Sequence, residues 1–355
     1  MQITTAARRV YMSILSILLV FVTTIATTFA WVGILNYTEL GSFDVNLGVG
    51  EVNDAYRLSI CTTPDGEFSD TANSTDIKRQ ILNNMGILTG GDNSDEFVEK
   101  QFKSVTLNSV TTSNLKDFQT FLHKEKRFED SLSYFKFDLY LKIERKNNNG
   151  SNKVEDDINF NTGLMFNTDV NPLQGVKCSS SIVNGMTYPS NGIYDHPGFD
   201  ITNENSYVTI DSSYATRFAL EIYSPKNSGE SFDNNPIATK IYYNGSYLPT
   251  YDKTTKLYSF GGILPEEYNI AYQEYKSIYR PGKDFVIPDD ILNRGDLEIN
   301  EKNSMLLAEE SGFGINSGIS NILKVTVYFW YEGWDADCFE AIAGKSVSLN
   351  LVFKA

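Results

Sequence analysis

The densest run of reactive side chains is Tyr331-Glu332-Gly333-Trp334-Asp335-Ala336-Asp337-Cys338. Glu332, Asp335 and Asp337 bring three carboxylates close together in the chain, and carboxylate oxygen is the donor that Ca²⁺ selects. Calcium, held by Glu332, Asp335 and Asp337, is therefore the one metal the sequence suggests. Three acids fall short of the roughly six to eight oxygens that calcium takes, and the spacing is not that of an EF-hand loop. The same residues also read as a turn. Gly333 relaxes the backbone, Trp334 tucks over a sheet edge, and the Asp side chains cap amides.

No other constellation reaches chemistry. The two histidines, His123 and His196, lie far apart and form no H-E-x-x-H zinc site. His196 falls in the turn-like Tyr194-Asp195-His196-Pro197-Gly198. Nucleophilic catalysis needs a base beside a Ser or Cys and a third group to orient it, and no G-x-S-x-G elbow is present. Gly312-Phe313-Gly314-Ile315-Asn316-Ser317-Gly318 echoes a dinucleotide fingerprint, but Gly318 falls one residue late and no βαβ unit surrounds it. We assign no catalytic and no cofactor-binding residue, and the chain reads as a non-enzyme.

The elements that hold these residues are strands. Leu323, Val325, Val327, Phe329 and Tyr331 alternate with Lys324, Thr326, Tyr328 and Trp330, the period of a strand. Val347, Leu349, Leu351 and Phe353 repeat the pattern, as do Phe135, Phe137, Leu139, Leu141 and Ile143 in the span Ser133 to Arg145. Further strands are expected at Ser42–Leu47, Tyr56–Cys61, Ile158–Met165, Tyr207–Ile210, Thr216–Tyr223, Ile237–Tyr243, Ser246–Leu248 and Leu257–Phe260. Asn244-Gly245 marks a hairpin after Tyr243. Asn73-Ser74-Thr75-Asp76 caps a helix over Ile77–Met85 that Gly86 ends, and Glu96 to Thr111 is ambiguous at first, then reads as strand. Residues 171–198 and 281–303 read as loops, and 265–279 holds a possible helix. Strands without intervening helices predict antiparallel sheets. The expected fold is all-β, an antiparallel sandwich or jelly roll with short helical insertions, with loop insertions near 62–97, 171–200 and 261–320.

Composition agrees. There are 21 Tyr and 22 Phe, which suits strands. The net charge of −15 excludes nucleic acid as a natural partner, because phosphate is repelled. Cys61, Cys178 and Cys338 form no C-x-x-C; outside a cell one pair can bridge, and three pairings are open. Asn36, Asn73, Asn149 and Asn244 begin N-x-S/T sequons.

Where the protein acts is written at its start. From Val10 to Thr38 there is no charged side chain, and Arg8-Arg9 precede the run while no Lys or Arg follows until Arg57. Such a run enters a bilayer as a helix, and the basic flank keeps the N-terminus inside and sends the rest out. Residues 1–35 are thus a signal peptide or a retained signal anchor, meeting the membrane through residues 12–35. Residues 36–355 form the extracytoplasmic region. If cleaved, the cut falls between Ala30 and Trp31, after the small residues that signal peptidase prefers.

Thr27-Thr28-Phe29-Ala30-Trp31 resembles the signal-peptide ending of the camelysin and TasA-like group, and Gly41 to Leu47 stands where members carry their first strand. The match covers only about the first 50 residues. Val32-Gly33 departs from the family pattern, and no Ala-Gly precedes the strand. The group comprises exported bacterial surface and biofilm-matrix proteins. No protease ligand set carries over to this chain. The same N-in anchor also resembles that of envelope-anchored virion proteins. The resemblance implies an exported, β-rich structural protein of a cell surface, filament or envelope, acting through self-association or other surface or virion proteins. Two alternatives stand beside it, a membrane-anchored virion protein and a module binding carbohydrate or a host surface through aromatic loops. If Trp31 becomes the N-terminus, Val32 to Leu47 is a free strand able to join a neighbour's sheet edge.

Overall fold

The strand with the strongest alternation becomes the axis of the structure. A computed structural model describes residues 43–49, 56–88, 91, 93–120, 133–145, 164–168, 176–180, 182–187, 207–244, 250–251, 254, 258–259, 261–263, 287–298, 305–310, 321–338 and 347–353. The Val10 to Thr38 run, both histidines and the 265–279 segment lie outside these residues. Among the described residues the chain is mostly sheet with few helices, and no helix there is long and apolar enough to cross a membrane.

Strands are numbered along the chain. An eight-stranded sheet joins β2 (Tyr56–Cys61), β3 (Ser109–Thr111), β4 (Gln119–Thr120), β5 (Phe135–Arg145), β10 (Thr216–Ile222), β11 (Ala238–Tyr243), β14 (Leu297–Glu298) and β16 (Leu323–Glu332). β16 has β10 antiparallel on one side from Val325 to Tyr331. On its other side β5 pairs with Leu323–Phe329, then β3 takes over at Tyr331 and Glu332 in the parallel sense. A three-stranded sheet holds β1 (Phe43–Val49), β17 (Val347–Phe353) and β7 (Val176–Ser180), with β1 parallel to β17 and β7 antiparallel to it. Three two-stranded pairs complete the strands. They are β6 (Leu164–Thr168) with β15 (Met305–Glu310), β8 (Ile182–Thr187) with β9 (Tyr207–Asp211), and β12 (Thr250–Tyr251) with β13 (Tyr258–Ser259).

The sheets are mixed, which corrects the antiparallel expectation. Alternation fixes which face a residue takes but carries no information on strand direction. β1 and β17 come from opposite ends of the described chain, so no tight turn forces them antiparallel. Other differences are local. Asp95–Phe102, where the Glu96 to Thr111 stretch is ambiguous from sequence, is helix α2, capped by Ser94 Oγ on Phe97 N and burying Val98 and Phe102, and the strand of that stretch is confined to Ser109–Thr111. The 171–198 stretch contains β7 and β8, and 281–303 contains a short helix α3 (Asp289–Leu292) and β14. The expected first helix is present as α1 (Ser74–Asn84), with Asn73 as its cap. Gly86 beyond it takes φ +71°, the left-handed value that glycine adopts without strain.

One apolar core gathers alternate residues of β16 (Val325, Val327, Phe329) with Phe218 and Leu220 of β10. Phe137 of β5, Ile77 and Ile81 of α1, and Leu349 and Leu351 of β17 join it. Both sheets and both longer helices therefore share it. α1 also seals an edge. On β5, β2 reaches Tyr140–Arg145 alone, which leaves the first half of β5 without a strand there among the described residues; on its other side Ile60 of β2 bridges to Ser69. Gln80 Oε1 accepts from Asp138 N at 2.8 Å, its Nε2 donates to Asp138 O at 3.2 Å, and Asn84 Nδ2 donates to Lys136 O at 2.7 Å. Side-chain amides thus replace a missing strand and blunt an edge that would otherwise invite pairing. Cys61 and Cys338 are free thiols. Each of the three pairings needs one of them, so no intrachain disulfide forms.

The core predicts a contrast. Leu349→Ala removes a fully buried side chain shared by both sheets and should cost about 2–5 kcal/mol. Tyr331→Phe removes a buried hydroxyl with no hydrogen-bond partner, so it should leave stability unchanged or raise it by about 1 kcal/mol. Urea denaturation of the two variants checks both signs.

Candidate functional site

The opposite face of β16 carries Tyr328, Trp330 and, at its end, Glu332. Val110, Leu115 and Phe118 close over this face. Phe118 stacks on Tyr134 with ring centroids 3.7 Å apart and meets Trp330 edge-on at 5.7 Å. Just beyond, the chain turns through Gly333 to Cys338, and a polar cluster fills the space between four segments.

Arg217, on β10 directly opposite Trp330, is 1% exposed. Its Nη2 lies 2.7 Å from Asp335 Oδ2 and its Nε 2.8 Å from Asp296 Oδ2. Its Nη1 donates to Thr216 O at 2.9 Å. Arg294 bonds Asp296 through Nε at 2.6 Å, reaches Glu332 Oε2 through Nη2 at 2.9 Å, and donates to Thr112 O at 2.5 Å. Glu332 also accepts from Trp330 Nε1 at 3.2 Å and from Trp334 N at 3.2 Å. Asp335 Oδ1 caps Asp337 N at 2.8 Å, and Asp337 Oδ2 accepts from Ser259 Oγ at 2.8 Å. The guanidinium planes lie over rings, Arg217 at 5.0 Å from Tyr243 and Arg294 at 5.5 Å from Trp330. Beside the cluster is a cavity of about 280 Å³ between Arg217, Tyr243, Ile263 and Ile291.

Burial sets the protonation of these groups. Burial raises Asp335, Arg217 opposes it, and the carboxyl settles at about 6, still ionised at neutral pH. Burial would also raise Asp296. The Arg294 hydrogen bond and the charges of Arg217 and Arg294 outweigh it and hold Asp296 below the ordinary 3.8. Burial would lower both arginines, but the carboxylates push each above its usual value, chiefly Asp335 on Arg217 and Glu332 on Arg294. Burial pushes the Cys338 thiol up, reinforced by Asp335 and Glu332, so it is a poor nucleophile at neutral pH.

The three carboxylates named as calcium ligands are thus present in one neighbourhood but committed to different partners. Asp335 goes to Arg217, Glu332 to Arg294, and Asp337 to Ser259. Among the described residues no group of three or more His, Cys, Asp or Glu gathers to hold a metal. Trp334 is buried, and Glu332 and Asp335 each accept from a backbone amide two residues on, at Trp334 N and Asp337 N. Arg8, Arg9, Ala30 and Trp31 lie outside the described residues. Sequence reasoning missed Arg217, Arg294, Asp296 and Ser259. Arg217 left one signal, a charge within a strand whose every position is buried. Arg294 and Asp296 flank Gly295. Here Gly295 at φ +75° folds both charges inward, and neither side chain is more than 8% exposed.

No family model, characterised protein or solved structure matches this chain.

Removing one partner of a buried ion pair strands the other charge. Arg217→Met, which leaves Asp335 and Asp296 without it, should cost about 3–5 kcal/mol in chemical denaturation. The two aspartates predict opposite pH effects. Asp335 is raised, so its contribution is full below about 4 and is lost as pH rises to about 6; Asp335→Asn should remove that change. Asp296 is depressed, so its contribution is full above 3.8 and is lost as pH falls through its lowered value; Asp296→Asn should flatten this acid limb. Thermal midpoints of the three proteins from pH 3 to 7 read both windows.

Proposed function

We propose that this chain is a non-enzymatic structural protein of a cell surface, extracellular filament or envelope. Its N-terminal segment directs it out through a membrane, and the rest assembles as a β-sandwich through protein–protein contacts. The eight-stranded and three-stranded sheets sharing one core support the sandwich. The polar cluster supports the non-enzymatic reading, because among the described residues Arg217 and Arg294 are spent on Asp335, Asp296 and Glu332. Net charge −15 keeps such a surface soluble until specific contacts form.

The observation that carries the assembly reading is β1. This first described strand follows the apolar N-terminal run and pairs with the whole of β17, from Phe43 opposite Val347 to Val49 opposite Phe353. The expected free strand Val32 to Leu47 is therefore occupied within its own chain from Phe43 onward. Among the described residues β1 has β17 as its sole strand partner in that sheet, and the same backbone pairing is open to β1 of a second copy. Exchange of an identical element between copies adds little cost, since the contacts are conserved in kind.

Deleting residues 31–49 should abolish assembly of the exported protein, seen by sedimentation and electron microscopy. A peptide spanning Ser42 to Gly50 supplied in trans should restore folding without restoring polymers. Polymers from the truncated protein alone would sink the reading. N-terminal sequencing of the native protein should begin at Trp31 for a secreted subunit, or at the first residues for a retained anchor.

A further inference from the structure

The start of α1 carries Asn73-Ser74-Thr75, the acceptor pattern for an N-linked glycan. We propose that Asn73 is an N-glycosylation site; this rests on the reading that residues beyond the apolar run cross a membrane. A sequon by itself is a weak signal in an Asn-rich chain, and the structure separates this one from another. Asn73 is exposed. Its Oδ1 accepts from Thr75 N at 2.9 Å as the helix cap, while its Nδ2, the atom a glycan bonds, donates to nothing among the described residues. Cap and glycan therefore use different atoms of one amide. Asn244 is the contrast. It is half-buried, and its Nδ2 donates to Ser213 Oγ at 2.5 Å, so a glycan there would break a bond that the fold makes.

The position also suits the transfer. An acceptor segment must be extended to enter an active site. At a helix start the first amides have no intrahelical partner, so opening residues 73–75 breaks the cap, the Ile77 N to Asn73 O bond of 3.2 Å, the 3.3 Å bond from Thr75 Oγ1 to Glu99 and the first helical turn, and leaves the rest of α1 in place. In the reaction, Asn73 Nδ2 forms a bond to the anomeric carbon of an oligosaccharide carried on a lipid diphosphate. The sugar–phosphate C–O bond breaks, the lipid diphosphate leaves, and Nδ2 gives up one proton. Asn73 lies on the rim of a groove of about 750 Å³ between residues 60–73 and α1. Thr63, Thr71 and Asn83 line it and are exposed, so the first sugars meet hydroxyl and amide groups there. A glycan on this rim keeps the α1 face toward solvent and leaves subunit contacts to other faces.

The test is the full chain expressed in a eukaryotic secretory host, with peptide mapping by mass spectrometry before and after peptide-N-glycosidase. The expected result is a glycan on the peptide holding Asn73 and none on Asn244. Asn73→Gln removes the cap as well as the acceptor, so Thr75→Ala serves as the second variant; it keeps the cap and should also lose the glycan, while Thr75→Ser should retain it. A modified Asn36 or Asn149 with a bare Asn73 overturns the proposal and leaves export standing. A bare Asn73 on protein recovered from the medium overturns it likewise. A chain that stays on the cytosolic side without any glycan overturns both.

Discussion

Charge cannot be left unpaired where water does not reach, and the Arg217–Asp335 and Arg294–Glu332 pairs impose that constraint on the fold. Each joins segments distant in sequence: β10 to the turn after β16, and the segment before β14 to the end of β16. Asp296 sits between the two arginines and makes a single unit of them. An apolar core tolerates substitutions of similar volume, and the face that packs against α1 and β17 is of that kind. The polar face is not, because each group there has its partner fixed by distance and direction. The cluster therefore decides which segments meet at the top of the sheet, while the apolar core supplies most of the cohesion.

Much of the sheet was legible because alternation is a local property. Leu323 to Tyr331, Phe135 to Leu141 and Phe218, Leu220, Ile222 faced the core as their spacing required, and the Asn73 cap and Gly86 stop bracketed α1. Strand direction was not legible, since a side-chain period of two is the same in parallel and antiparallel strands. α2 was ambiguous in the sequence because Phe97, Val98 and Phe102 fit a short helix and a broken strand about equally well, and burial against the core decides between them. Within the site, Glu332, Asp335 and Asp337 stood out because they are close together in the chain. Arg217, Arg294 and Ser259 did not, because their partners lie far along the sequence and no local pattern announces a long-range ion pair.

The calcium and turn readings of the Glu332–Cys338 segment began from the same residues and diverged on one fact, the nature of the countercharge. Had the arginines been absent, Glu332 and Asp335 would be buried charges without a countercharge. With Arg217 and Arg294 in place the chain carries its own. The inward Arg294-Gly295-Asp296 turn belongs to the same solution, since a glycine with positive φ lets both neighbours serve one cluster.

The parallel pairing of β1 with β17 also has a mechanical side. Tension applied through the residues before Phe43 and those after Phe353 runs along the two strands in opposite senses. The bonds of that ladder are then loaded together in shear rather than opened one at a time from an end. Parting the strands requires several bonds to fail at once, so the link between the two ends of the chain resists pulling far better than a hairpin of equal length opened at its turnless end.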